Sequence, residues 1–268
     1  MNIKNLIANG ASKLNEEWLP NSISPSLLAS PCLRAAKLKW RWAKKTELPK
    51  DRLLTVNIGK QIEKLVLNFL EQNENVKIIP PSEGEQHKIQ GYYEHFKGFI
   101  DAIITIDDKT YILEIKACNK AIFNQLQKNG LQKAKPEHYL QLQSYIQFYD
   151  KSLQGLYVAV CNDNQDIYSE IINYDSAQEK VLSDIVHIML SKKIPPKVET
   201  YKCNLYGGCP LMEICHEAAY MDVNCRTCKY LEPRQKGNWL CKKHNKRKDF
   251  SEQLEGCAQH EFIEFNSE

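Results

Sequence analysis

Long apolar runs are what this sequence most lacks. No stretch approaches the roughly 18 consecutive apolar residues that a membrane-spanning helix requires, so no membrane partner is expected. The segment from Met1 to Trp18 mixes Lys4, Lys13, Glu16 and Glu17 among apolar residues, and it therefore lacks the uninterrupted apolar core of an export signal. A cytoplasmic location is the resulting expectation. Strong charge imbalance is absent too: a net charge of +3 is too small to imply a nucleic-acid partner by itself. No internal repeat is visible, which sets repeat architectures aside. No His-Glu-x-x-His motif appears, which disfavours a zinc-dependent hydrolase.

The 268 residues, 43% apolar and 26% charged, have the composition of an ordinary soluble globular protein and the length to bury a core. The ten cysteines stand in a chain without an export signal, where reducing conditions disfavour disulfides and favour metal ligation. Eight fall at Cys32, Cys203, Cys209, Cys215, Cys225, Cys228, Cys241 and Cys257, whereas Cys118 and Cys161 sit inside apolar, strand-like runs and read as small core hydrophobes. Arg34, Lys37, Lys39, Arg41, Lys44 and Lys45 form one basic run with Trp40 and Trp42 interleaved, and Lys242, Lys243, Lys246, Arg247 and Lys248 form another. Such runs read either as phosphate-contacting surfaces, with the tryptophans stacking on bases, or as solvated faces, with the tryptophans in the core.

Ser24-Pro25-Ser26 opens a short helix, with a hydroxyl N-cap and proline in the first turn, and Pro31 bends or restarts it. Over residues 55–72, Ile58, Ile62, Leu65, Val66, Phe69 and Leu70 recur at helical spacing, which predicts an amphipathic helix with its seam toward the core. A turn-rich stretch follows to residue 94, with an edge strand at 76–79. Residues 96–106 and 111–117 form a β-hairpin around Asp107-Asp108-Lys109-Thr110. Helices are expected at 136–149 and 176–192, with strands at 155–161 and 167–173 between them. The fold class is therefore α/β, a mixed sheet with helices on its faces. Beyond Pro195-Pro196 the cysteine-dense tail is poor in apolar periodicity, so metal rather than a hydrophobic core is expected to hold it.

In the hairpin, side chains alternate faces, so Glu114 and Lys116 share one face, and the paired strands bring Asp101 beside Glu114. A small carboxylate cluster of this kind can hold a hard cation, Mg²⁺ or Mn²⁺, with the Ile115 carbonyl as a further ligand. Such a cation lowers the pKa of a water and clamps phosphate oxygens, while Lys116 orients the water or offsets developing negative charge. Upstream, Glu63 lies one helical turn from Gly59; downstream, Gln141 and Tyr145 share one helical face.

The order of these elements resembles the RecB-like and lambda-exonuclease-like branches of the PD-(D/E)XK nuclease superfamily. In this chain they stand as GKQIE, GFID, EIK and QLQSY, and the resemblance covers residues 24–192. It implies a restriction-endonuclease-like sheet, Asp101 and Glu114 as metal ligands, and Lys116 as the catalytic lysine. It further implies Glu63, where many members carry histidine, as an acidic ligand or its support, and Gln141 and Tyr145 as DNA-contacting or site-ordering groups. The nuclease body is expected over residues 1–200.

Cys32 ahead of these elements, and Cys203, Cys209 and Cys215 after them, resemble the iron-sulfur members of the RecB-like group, the CRISPR-associated and AddB-type nucleases. There four thiolates hold a 4Fe-4S cluster that staples the ends of the domain together. Five residues separate Cys203 from Cys209, where those families place two, so zinc at this set stays an alternative. A segment over 201–222 would close this site. Cys225-x-x-Cys228 followed by Cys241 and Cys257 is a zinc pattern, since tetrahedral Zn²⁺ takes four such ligands and folds a small module around itself. Trp239 would cap the knuckle, and His244 and His260 would stand outside the ligand set. This module is expected over 223–268.

The resulting expectation is a metal-dependent deoxyribonuclease, an exonuclease or nickase of recombination, repair or phage replication, with DNA and a repair-type or CRISPR-type protein as partners. Arg34, Lys39, Arg41 and Lys44 are its expected phosphate contacts. The alternative is a metal-stabilised DNA-binding or adaptor protein with a vestigial nuclease centre, against which the intact Asp101, Glu114 and Lys116 count.

Overall fold

A computed structural model of the chain describes residues 19–28, 30, 32–45, 50–204, 208–217 and 219–264, with positions 3, 6 and 10, and omits the side chains of 50–52, 202 and 204. The bend expected at Pro31 lies outside the described residues. The chain forms two compact units, one gathering residues from 47–89 and 98–180, the other from 17–46, 90–97 and 181–268. This division differs from the expected boundaries at 200 and 222. The cysteine-rich tail is not a separate body because Ala35, Leu38 and Ala43 share one buried cluster with Leu211, Ile214, Met221 and Ile263.

In the first unit, helix α3 (Lys50–Glu71) is followed by strand β1 (Val76–Ile79). Strands β4 (Ala102–Ile106) and β5 (Lys109–Cys118) make the expected hairpin, and β6 (Gln154–Cys161) and β7 (Ile167–Ile172) complete a sheet of order β1-β4-β5-β6-β7. Only β5 and β6 run parallel; the other pairs are antiparallel. The sheet is thus mixed, with β1 at its edge. Asp107 and Asp108 take φ of 46° and 62°, the left-handed pair that a tight two-residue hairpin turn demands and that aspartate tolerates. Cys118 and Cys161 are buried in-register neighbours of β5 and β6, as small core residues.

Three features depart from the sequence pattern. The run expected as one strand over 96–106 breaks at Asp101 into β3 (Phe96–Ile100), which pairs with β2 (His87–Gly91), and β4, which joins the larger sheet. On α3, Ile58, Leu65 and Phe69 are exposed, while Val66, Leu67 and Leu70 pack against the sheet. The stripe is rotated from the expected seam because only one narrow face of the helix meets β5. Helix α4 (Lys120–Ala134) has no counterpart among the expected elements. Its buried apolar residues are only Phe123, Leu126 and Leu131, and Gly130 at φ 72° interrupts it, so helical periodicity is weak there.

Helix α5 (Pro136–Tyr149) packs against β5 and β6. Its approach depends on Gly155 of β6: a Cβ there would stand 2.7 Å from Cγ of Leu142, inside van der Waals contact.

The second unit contains helix α1 (Pro25–Leu28), capped by Ser24, whose Oγ accepts from the Leu27 amide at 3.1 Å. Helix α2 (Leu33–Trp40) has Cys32 at its N-cap. The Val181–Leu190 part of α6 (Ala177–Leu190) belongs to this unit, followed by α7 (Thr200–Asn204) and α8 (Met212–His216). Strands β8 (Leu231–Pro233), β9 (Trp239–Cys241) and β10 (Lys246–Lys248) form an antiparallel sheet, and α9 (Phe250–Gln253) follows it. Trp40, Trp42 and Trp239 are all buried, so the two tryptophans of the first basic run are core residues.

Gly155→Ala is expected to lower stability to urea by about 1–3 kcal/mol through overpacking. Most of that loss should vanish in a Leu142→Ala background, where the space is open; an equal loss in both backgrounds would mean that α5 does not rest on this glycine.

Candidate active site

Residues of α3, β4, β5 and α5 meet at one point of the first unit. The β4–β5 register pairs Ala102 with Leu113, and continuing it by one residue sets Asp101 opposite Glu114. Asp101 Oδ2 accepts a hydrogen bond from the Ile115 amide at 2.7 Å, which fixes the carboxylate against β5. Glu114 is 0% exposed. Its Oε1 is ion-paired with the Lys116 ammonium and accepts from Gln141 Nε2 at 2.7 Å. Gln141 Nε2 also reaches the Tyr145 hydroxyl at 3.0 Å, the contact between positions four apart that a helical face provides. The structure therefore brings together Asp101, Glu114, Lys116, Gln141 and Tyr145.

Burial sets the electrostatics. It pushes the Glu114 carboxyl up to about 8, against the pull of Lys116 and with the help of Asp101 and Glu63. Burial likewise raises Asp101. Glu63 is raised by burial and then by the Asp101 charge, with Lys116 opposing, so α3 carries its carboxylate into the same field. Burial acts to lower Lys116, but Glu114, Asp101 and Glu63 outweigh it and the ammonium is held above its ordinary value. Tyr145 is raised chiefly by burial and keeps its proton. The remaining oxygen of Glu114, Oε2, is buried with no hydrogen-bond partner among the described residues.

Two neighbours escaped the sequence reading. Tyr157 is the in-register partner of Glu114 across β5 and β6, and its hydroxyl lies 2.8 Å from His138 Nδ1. His138 is lowered to about 3 by burial and by the Lys116 and Lys135 charges, so it is neutral. The available signal was its spacing, three residues before Gln141 and seven before Tyr145, on one helical face.

Eight of the cysteines lie in two neighbourhoods of the second unit. Cys32, Cys209 and Cys215 pack against one apolar cluster of the second unit. The Cys203 thiol is raised by burial and then by Cys209, Cys32 and Cys215, which puts all four in one neighbourhood. Cys225, Cys228, Cys241 and Cys257, with His244 and His260, line a single cavity of about 240 Å³. Among the described residues, no three His, Cys, Asp or Glu side chains stand as a ready-made metal cage.

The first basic run is largely internal, which corrects the expectation of phosphate contacts along it. Arg34 and Arg41 are buried: Arg34 donates to the Pro195 carbonyl at 2.7 Å, and Arg41 to those of Leu231 and Cys228 at 3.2 and 3.0 Å. Lys37 donates to the carbonyls of Ile188, Ser191 and Lys193, each at 2.7 Å. Burial, then the Arg41 charge, lowers it to about 7. Lys44 pairs with Glu213. Lys39 is exposed, as are Lys242, Lys243, Lys246 and Arg247 of the second run.

No family model matches this chain, and neither does any curated protein. Among solved structures, the crystal structure of SSO0001 is similar over 81% of this chain and 97% of its own, at 20% identity and a TM-score of 0.52. At that identity the likeness is one of fold.

The buried pair can be tested without added cation. Lys116→Met, which removes the cation opposing Glu114 desolvation so that the buried carboxyl must take up a proton, is expected to lower stability at pH 8 by about 3 kcal/mol, measured by urea unfolding. Adding Glu114→Gln should restore most of it, and failure of the double variant to recover would show that the lysine acts through packing.

Proposed function

We propose that this chain is a divalent-metal-dependent deoxyribonuclease, an exonuclease of recombination, repair or phage replication, built on a restriction-endonuclease-like sheet. The observation that carries the reading is the convergence of Asp101, Glu114 and Lys116 with Gln141 and Tyr145 in one buried cluster, in the order that resembles the PD-(D/E)XK superfamily. The residues fit a hard cation: a fully buried carboxylate oxygen without a donor among the described residues, Oε2 of Glu114, is costly to leave unsatisfied, and Asp101 stands opposite.

Asp101 and Glu114, with Glu63 and the Ile115 carbonyl, would hold Mg²⁺ or Mn²⁺, which when bound supplies a water of lowered pKa and polarises the phosphoryl oxygens. The protein's own groups do the rest. Lys116, kept charged by three carboxylates, orients the attacking water and offsets negative charge on the scissile phosphate. Gln141 locks Glu114 in one orientation through Oε1 and Tyr145 locks Gln141, so the carboxylate does not reorganise during the reaction. DNA affinity falls to the exposed Lys39 and the 242–247 cations, whose phosphate contacts release counterions.

The grouping of Cys32, Cys203, Cys209 and Cys215 supports the iron-sulfur reading, in which four thiolates staple the start of α2 to α7, α8 and Cys209 between them. Protein purified without oxygen should then show a visible absorption band that Cys32→Ser removes; zinc in place of iron at this set would replace the cluster.

The decisive experiment is cleavage of DNA in Mn²⁺. Glu114→Gln and Lys116→Ala are each expected to slow it by at least about 100-fold while the circular-dichroism spectrum is unchanged. Cleavage near the unmodified rate by either variant, with contaminating nuclease excluded, overturns the reading. Degradation of linear but not circular DNA would establish exonuclease action.

A further inference from the structure

The cysteines of the tail are not used by the proposed reaction, and their surroundings carry a separate conclusion. Cys225 and Cys228 bracket a single 3₁₀ turn, closed by the Cys228 amide on the Cys225 carbonyl at 3.1 Å and capped by Asn224. Cys241 ends β9, in register with Leu231 of β8 and Lys246 of β10. Cys257 follows α9. The strands they sit on are three residues long, too short for a sheet to hold itself together by pairing. The thiols face other partners now: Cys225 Sγ donates to the Glu255 carbonyl at 3.3 Å, and Cys257 Sγ lies 3.6 Å from His244 Nε2.

Between Cys225 and Cys228 lies Arg226, a charged side chain at 0% exposure. Its guanidinium stands 3.8 Å from the ring centre of Trp239, 4.4 Å from that of Trp42 and 5.8 Å from that of Trp40. Its hydrogen-bond acceptors are neutral: the Gln253 amide, the Asn21 amide at 3.0 Å and the Trp40 carbonyl at 3.4 Å. Arg41, also buried, reaches the carbonyls of Leu231 and of Cys228 itself, and its guanidinium stands 5.4 Å from the Trp239 ring. Arg41 has the Glu232 carboxylate among its charged neighbours, whereas Arg226, with neutral acceptors, is stabilised by a further anion nearby. A zinc ion held by four thiolates is a dianion, whereas one held by two thiolates and two imidazoles is neutral. His244 and His260 line the same cavity, and the buried Arg226 charge beside it favours thiolates over these neutral imidazoles as ligands.

We propose that Cys225, Cys228, Cys241 and Cys257 bind one Zn²⁺ as thiolates, and that this centre braces the second unit from within by holding Arg226 in the cage of Trp40, Trp42 and Trp239. Binding replaces four thiol protons with the metal, and those protons leave to solvent. Zinc affinity thus weakens as pH falls. The site is a structural brace independent of the nuclease reaction.

The test is metal analysis and tryptophan emission of the full chain. Protein from zinc-supplemented culture should carry zinc that Cys241→Ser and Cys257→Ser lose but Cys32→Ser, His244→Ala and His260→Ala keep. Arg226→Met, which keeps side-chain length, should release zinc to a chelator about tenfold more readily. Stripping zinc from the unmodified chain with a high-affinity chelator should shift tryptophan emission to longer wavelength as the cage opens, and zinc should reverse it. Absence of zinc from the unmodified protein, or its loss in His244→Ala but not in Cys257→Ser, overturns the site. Zinc removal without any change in tryptophan emission overturns the brace.

Discussion

A carboxylate cut off from water has to find its compensation in the protein, and Glu114 is buried completely at the middle of the sheet. Desolvation alone would make it a neutral acid. The groups around it are those that oppose this: the Lys116 ammonium two residues along the same strand, and the Gln141 amide across from α5. The close approach of α5 at Gly155 is therefore part of the site, because it lets a helix-borne amide reach a strand-borne carboxylate. One oxygen of Glu114 is left over, and this leftover acceptor, beside Asp101, gives the proposed cation its place.

The second unit is organised by the opposite problem. Arg34, Lys37, Arg41 and Arg226 are buried cations, satisfied mainly by carbonyls and, at Arg226, by three indole faces. Guanidinium suits this role because it is weakly hydrated and stacks on aromatic rings. Lys37 collects three carbonyls at and beyond the C-terminal end of α6, where unpaired acceptors and the helix dipole favour a cation. The positive charge that looks in sequence like a surface for phosphate is largely spent inside the fold. Lys39 and the cations of the turn after Cys241 stay exposed.

Much of the site was legible because strand alternation is a strict rule. Glu114 and Lys116, two apart on an apolar strand, had to share a face, and hairpin pairing had to bring Asp101 alongside. Gln141 and Tyr145, four apart on a helix, had to be neighbours. His138 on the same face was overlooked because a lone histidine carries no signal until Tyr157 is placed against it. Helix α4 was missed because its buried residues are too few to set up a period.

The sequence by itself determined the mixed α/β class, the hairpin with its aspartate turn and the residues around the carboxylate cluster, all of which follow from periodicities of two and 3.6 residues or from local turns. Tertiary structure alone decided where charge ends up: that the strand through Asp101 breaks between two sheets, that Arg34 and Arg41 face inward, and that the cysteine tail shares a core with the N-terminal helices. The physical reason is common to all three. A charged or apolar side chain is placed by what packs against it from distant parts of the chain, and a local pattern fixes which residues share a face without fixing what that face meets.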